Sequence, residues 1–247
     1  MKEFSVVDKN KIPENIMLHY YQTTSSAFDD EVDYSVYAPS IARSLADWLD
    51  VENRSVLDLG CGTGQLCWVL GASGAKEVVG VNICKEEIDL ARQRVDVKFE
   101  VRDILEYLHD VQDTTIDNIY ALNIFEHLEK DYLISVLTQC ARVLKTDGTV
   151  TAIVPNATST FGGMTRYWDI THNLSFTPSS VNQLKNFCGF KRAEFKELGP
   201  KPHGIISGIR YILWQAIRIC IMFRLLIETG SVKGGVYTAD FVFRLTK

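Results

Sequence analysis

From Ser55 onward, short apolar runs alternate with longer stretches whose apolar positions recur every three to four residues. "SVLDLG" reads as a first strand, and a helix is predicted from about Gln65 to Ala72. "EVVGVN" (Glu77 to Asn82) is a second strand, and "KEEIDLARQRV" is a helix opened by two acids that suit its dipole. "VKFEVRD" alternates as a third strand, and "IDNIYALN" is a fourth. In "HLEKDYLISVLTQCARVLK" the residues Leu133, Val136, Leu137, Cys140, Val143 and Leu144 fall at helical spacing. The "TDG" turn then leads into a fifth strand, "TVTAIVPN". Strands alternating with helices imply parallel pairing and a doubly wound α/β sheet.

Further on, "TPSSVNQLKNFCGF" reads as a capped helix ending at Gly189, with Thr177 or Ser179 as cap and Pro178 in the first turn. "KRAEFKEL" is a sixth strand and "VYTADFVFRLT" a seventh. The first 50 residues are mostly helical and aromatic in pattern, a cover rather than part of the sheet.

The apolar run from about Gly204 to Ile227 stands outside this alternation. Its length would span a bilayer, for which about 20 apolar residues suffice. Arg210, Arg218 and Arg224 interrupt it, and each would cost roughly 2.5–3.5 kcal/mol at the bilayer centre. On a helical wheel they share one broad side with Ser207, Gln215 and Glu228. Ile209, Ile212, Leu213, Ala216, Ile219, Cys220, Phe223, Leu226 and Ile227 form the other side. The pattern predicts an amphipathic helix that packs on its own domain, pairs with a second copy, or lies at a headgroup boundary with Trp214 and the arginines.

Within "VLDLGCGTGQL" the first strand stops at an acid and falls into Gly60, Gly62 and Gly64. Glycine is costly to order and adds no packing, so something there needs bare backbone. A tight strand-to-helix turn is one reason. A ligand approaching the backbone beyond the carboxyl ends of the strands is the other. The dinucleotide spacing GxGxxG fails because position 65 is Gln, and the GK[ST] of a phosphate loop is missing. With no lysine in the loop, a phosphate is a poor fit. A cationic sulfonium with an amino-acid tail needs none.

Size and charge narrow the classes. The 247 residues suit one large α/β domain, and 23% charged residues with a net charge of −5 argue against binding nucleic acid by phosphate neutralisation. The six cysteines include no CxxC or CxxH pair, so zinc spacing is absent. The first residues lack the apolar core of a secretory signal, and reduced thiols in a cytoplasmic protein, with or without peripheral membrane contact, are the expectation.

Several motifs in the same order resemble class I S-adenosylmethionine-dependent methyltransferases. "VLDLGCGTGQL" is similar to their first motif, and "VVGVNIC" sits where their second strand ends in an acid. "VRDIL", "IDNIYALNIFEHL" and "RVLKTDGTVTAIVPN" resemble the third, fourth and fifth strand motifs. "THNLSFTPSSVNQLKNFCGF" is similar to the region before the sixth strand in members that act on sugars and other small molecules. The resemblance implies a Rossmann-like, doubly wound, seven-stranded sheet with the last strand antiparallel. One domain would then cover 1–247: a helical cover over 1–50, the core over 55–198 and 236–247, and the helical insertion over 204–228 between strands six and seven.

The resemblance also implies the cofactor, S-adenosyl-L-methionine, and its contacts. Asp58, Gly60, Cys61 and Gly62 would take the methionine half, and Asn123 would lie near its amino group. Asp103 with Ile104 would hold the adenine, and Asn82 with Ile83 the ribose. Asn82 replaces the usual acid and bonds a hydroxyl without charge assistance. Tyr21, in the cover, would reach the cofactor's carboxylate or the acceptor.

Methyl transfer to a hydroxyl needs alignment and a proton acceptor, for which a histidine or a carboxylate is the usual choice. His127 and His172 follow the fourth and fifth strands at the ligand edge, and Asp169 stands where it would orient His172. A satisfied structural histidine is the competing reading for each. Asn123, Glu126 and His127 offer a single carboxylate, and hard cations favour carboxylate oxygens, so no metal ligand is assigned. The expected activity is O-methylation of a small hydroxyl acceptor, a sugar of a surface glycan or its precursor. A quinone-like or lipidic acceptor, or a cofactor-binding interaction module without turnover, are the alternatives. The partners are the acceptor and, through the 204–228 helix, a membrane surface or a second copy.

Overall fold

The computed structural model describes residues 34–232 and 235–247, without the side chains of 35–38. A seven-stranded sheet runs in the order β3-β2-β1-β4-β5-β7-β6. Its strands are β1 (Ser55–Leu59), β2 (Glu77–Asn82), β3 (Lys98–Val101), β4 (Ile116–Leu122), β5 (Leu144–Pro155), β6 (Arg192–Glu197) and β7 (Asp240–Thr246). β1 to β5 are parallel, and β7 is antiparallel to both neighbours, as expected from the sequence. Strand order reverses between β1 and β4, and a crevice opens at such a switch point beyond the strand ends.

Successive side chains of a strand point to opposite faces, and β1 shows this directly. Leu57 and Leu59 pack with α4 (Ile104–Asp110), α5 (Lys130–Val143) and α7 (Pro178–Phe187). Val56 packs on the other face with α1 (Tyr34–Leu45), α2 (Gln65–Ala72) and α3 (Lys85–Arg94). Thr177 caps α7 with a reciprocal bond to Ser180, which settles the choice between the two sequence candidates.

Three features depart from the periodicity. The "TDG" segment is not a turn before β5 but an irregularity inside it, with Asp147 at φ +62° and the register slipping between Ile116 and Asn118. Two short helices, α4 and α6 (Gly162–Tyr167), carry too few turns to show a period.

The insertion is one helix, α8 (Ile205–Thr229). Part of its polar side docks on the domain: Ser207 is buried, Arg218 pairs with Glu197 at 3.1 Å, and Trp214 is half-buried against Gly199, while Arg210, Arg224 and Glu228 are exposed. Trp214 and Arg218 therefore hold the helix to the body instead of lining a headgroup boundary. The opposite, apolar side is open, with Ile209, Ile212, Leu213, Ile219, Phe223 and Ile227 all more than half exposed. Self-packing through that apolar side does not occur among the described residues.

Candidate functional site

β1 delivers Asp58 to the crevice, and Gly60, Gly62 and Gly64 follow at φ +72°, +51° and +88°. Residues with a Cβ are strained in this left-handed region. Gly60 and Cys61 donate their N–H groups to the Val81 carbonyl at 2.8 and 3.2 Å, which ties the turn to β2. The glycines serve different ends. A Cβ on Gly60 would lie 2.7 Å from Ile124, and one on Gly64 3.0 Å from Phe99, whereas one on Gly62 would meet nothing within 4 Å. Gly62 opens on a cavity of about 380 Å³, lined also by Asp58, Cys61, Asn123, Ile153 and, from α1, Ser40, Ile41 and Ser44. This is the size of an ordinary small-molecule site, which runs from about 300 to 1,000 Å³.

Asp58 is fully buried, and burial pushes its carboxyl up to about 7 although the Cys67 thiol donates to it at 3.3 Å. Near neutrality it stands between its two protonation states, and an ammonium group in the cavity would hold it ionised.

Asn82, Ile83, Asp103 and Ile104 lie outside that lining, along the edge toward β3. The Asn82 amide donates to Glu87 Oε2 at 2.6 Å and accepts from the Ile83 N–H at 3.0 Å. The acid missing from the end of β2 thus has a buried counterpart in the first turn of α3, which the sequence reading passed over as a helix-dipole residue. Asp103 caps α4, accepting from Leu105 and Glu106 N–H groups at 2.9 and 3.2 Å, and the Tyr132 hydroxyl bonds its carboxylate. Ile104 is buried beneath it. Tyr21 lies outside the described residues.

The segments after β4 and β5 are laced together. Asn173 and Leu174 donate backbone N–H groups to the Glu126 carbonyl at 2.7 and 2.9 Å, and the Asn173 side chain donates to the His127 carbonyl at 2.8 Å. This brings the His127 and His172 rings edge to face, with centroids 4.7 Å apart and both residues buried. The expected Asp169–His172 side-chain pair does not form, because 168–175 is bend, turn and irregular chain rather than helix. Asp169 instead accepts from the Thr171 N–H and hydroxyl at 2.8 and 2.7 Å. The Thr171 hydroxyl also lies 2.8 Å from the His127 Nδ1 and joins that ring to the Asp169 carboxylate. The His172 Nδ1 donates to the Thr165 carbonyl at 2.9 Å. In His172, whose Nδ1 faces a carbonyl, Nε2 is the lone-pair nitrogen.

Burial, then the neighbouring His172, lowers His127 to about 4, so it is neutral at physiological pH. Burial raises Glu126 to about 8; its Oε1 accepts from Asn123 at 3.3 Å, while its Oε2 has no hydrogen-bond partner. Asn123, at φ +53°, both lines the cavity and touches this cluster. Glu126, His127 and His172 each place a potential metal ligand atom within 4.8 Å of the others. The sequence reading had no means to add His172 to the Asn123–His127 segment.

Residues 56–148 match a family described as "Methyltransferase domain". Phosphoethanolamine N-methyltransferase of Plasmodium falciparum (isolate 3D7) is 25% identical over 154 residues, covering 60% of this chain and 57% of its own length. A ubiquinone biosynthesis O-methyltransferase of Alkalilimnicola ehrlichii is 33% identical over 104 residues, covering 40% of this chain and 41% of its own. The chain thus spans just over half of the first curated relative and about two-fifths of the second. Among solved structures, a SAM dependent methyltransferase from Archaeoglobus fulgidus superposes with a TM-score of 0.64 at 20% identity, over 87% of this chain and 95% of that one.

Proposed function

We propose that this chain is a class I S-adenosylmethionine-dependent methyltransferase that methylates a hydroxyl oxygen of a small acceptor, a sugar of a surface glycan or of its lipid-linked precursor. S-adenosylmethionine, when bound, supplies a methyl group on a cationic sulfonium. The residues present fit it. Gly62 leaves room for the ligand, Asp58 provides a buried carboxylate for its ammonium group, and Asn123 closes the crevice from β4. Glu87, through Asn82, brings a carboxylate to the ribose side.

The Glu126–His127–His172 cluster carries the oxygen-acceptor reading. It stands at the same sheet edge as the cavity and is joined to it through Asn123. A hydroxyl must lose its proton as it is methylated, and the lone-pair imidazole nitrogen of His172 is suited to that need. Apart from positioning the acceptor in line, the chain has little other chemistry to perform.

The glycan assignment is supported by the resemblance around "WDITHNLSFTP" and by α8. α8 stands in the chain between the ends of β6 and β7 that lie at the ligand edge, and its open apolar side is suited to hold a lipid-linked acceptor near that edge. We place the protein in the cytoplasm, in peripheral contact with a membrane through that side. Release of S-adenosylhomocysteine should be faster with a lipid-linked glycan in vesicles than with the free oligosaccharide. Ile212→Glu with Phe223→Glu should abolish only the difference. Turnover with quinol precursors alone would move the acceptor to the lipidic class. Cofactor binding without release on any hydroxyl would leave a non-catalytic module, and a dimer lost in the double variant would assign α8 to a second copy.

Asn82 offers a further test. Restoring an acid there would tighten ribose binding if the site stood alone, which is the expectation from sequence. The 2.6 Å contact with Glu87 changes it, because two carboxylates at that distance cannot both ionise. Asn82→Asp alone should therefore not improve affinity by calorimetry. Asn82→Asp with Glu87→Gln should, since charge-assisted bonds are roughly twice as strong as neutral ones. Tighter binding in the single variant would remove Glu87 from the ribose side.

A further inference from the structure

We propose that the short helix α6 and the chain that follows it to Ile170 form a second contact with the headgroup layer of an anionic bilayer, beside the contact given to α8. The ligand edge of the sheet would then face the membrane. This rests on the peripheral contact proposed for α8, but vesicle binding by the two segments can be measured separately and without turnover.

α6 is built with its large side chains outward. Gly162 and Thr165 fall on its buried side, while Phe161, Met164 and Trp168, at helical spacing, fall on the other. All three are more than half exposed, and Tyr167 and Ile170 beside them are exposed at 78% and 89%. The inner side has no room for such groups: a Cβ on Gly162 would come within 2.9 Å of the Asn156 and Ala157 carbonyls. The segment is also fixed in this orientation. The Thr165 carbonyl holds the His172 Nδ1 at 2.9 Å, and Arg166 donates to the Asn173 carbonyl at 2.9 Å. Large apolar side chains held together in water mark a surface meant for a partner.

Position and charge select a bilayer as that partner. α6 follows β5 and α8 follows β6, and these two strands flank β7, so the segments leave the same sheet edge about 10 Å apart. Asn156 clamps them there, its amide donating to the Val236 and Thr238 carbonyls at 3.1 and 2.8 Å where the chain returns from α8. A broad, flat partner can meet both. Residues 161–170 and 205–229 carry Arg166, Arg210, Arg218 and Arg224 against Asp169 and Glu228, in a chain whose net charge is −5. A locally basic surface of aromatic and aliphatic side chains matches anionic headgroups over acyl chains, and Tyr and Trp are the residues favoured at that boundary. His172 follows Ile170 by two residues, so an acceptor anchored in the bilayer would arrive beside it.

Full-length protein without cofactor, mixed with vesicles of phosphatidylcholine and phosphatidylglycerol, tests the contact. Co-sedimentation should show binding that weakens as salt rises and is poor on phosphatidylcholine alone. Tyr167→Ser with Trp168→Ser, with α8 intact and folding followed by circular dichroism, should weaken it by about 10–100-fold. Brominated lipid should quench wild-type tryptophan emission, and Trp168→Phe, which keeps an apolar ring, should bind nearly as well but lose most of the quenching. Wild-type affinity in the Tyr167→Ser, Trp168→Ser protein, or unchanged quenching in Trp168→Phe, overturns the second contact. The contact through α8 survives that result if Ile212→Glu with Phe223→Glu still abolishes binding. A wild-type protein that binds no vesicle, or a dimer that the Tyr167→Ser, Trp168→Ser protein loses, also overturns the proposal. Methyl transfer to a free oligosaccharide would stand in either case.

Discussion

His172→Ala should lower single-turnover methyl transfer by about 10²–10⁴-fold, the usual cost of removing a positioned proton acceptor, with cofactor affinity nearly unchanged. The affinity should hold because His172 does not line the cavity and its fixed nitrogen meets only the Thr165 carbonyl. His127 is the weaker candidate for proton transfer. Lowered to about 4, it is a poor base at neutral pH, and an effective base has a pKa near the working pH. Its backbone carbonyl and ring also anchor the loop through Asn173 and Thr171, so His127→Ala should mainly lower the melting temperature and loosen the site. Full single-turnover activity in a folded His172→Ala protein would remove the residue from the chemistry.

How the histidines meet was not legible in the chain. Their positions after β4 and β5 placed both at the ligand edge, because that follows from strand direction alone. Their pairing depends on two loops laced by Asn173 and Leu174, and loops have no period to read. The same limit produced the Asp169 error, where a spacing that works on a helix was applied to a turn. Strands were legible because buried parallel strands are apolar almost throughout, as in β1 and β4. α4 could have been found from the cap signal of Asp103 ahead of Ile104 and Leu105, though its span is too short for periodicity. For α8, the wheel grouped the exposed Arg210, Arg224 and Glu228 with the docking Ser207 and Arg218, and it could not say which side docks. Glu197 and Gly199, at the end of β6, decide that by receiving Arg218 and Trp214, so the apolar side is the one left open.

Gly62→Leu should abolish measurable S-adenosylmethionine binding in a protein that still folds. The sequence treats Gly60 and Gly62 alike, as bare positions that any side chain would fill at the ligand's expense. The structure separates them. At Gly60 a Cβ would strike Ile124 at 2.7 Å, so substitution there disturbs the turn itself, and lost binding would not locate the cofactor. At Gly62 a Cβ meets nothing within 4 Å, and the residue borders the cavity. The backbone strain of a leucine at φ +51° is on the order of 1–2 kcal/mol, which a domain of ordinary stability tolerates. The side chain then occupies space the ligand needs. Gly62→Ala carries nearly the same strain with far less bulk, so it should keep partial affinity and serves as the control for backbone effects. Calorimetric titration of both variants, with melting curves to confirm folding, reads the result. Wild-type affinity in folded Gly62→Leu protein would mean that the cofactor does not sit at the glycine turn, and the roles given to Asp58 and Asn123 would go with it.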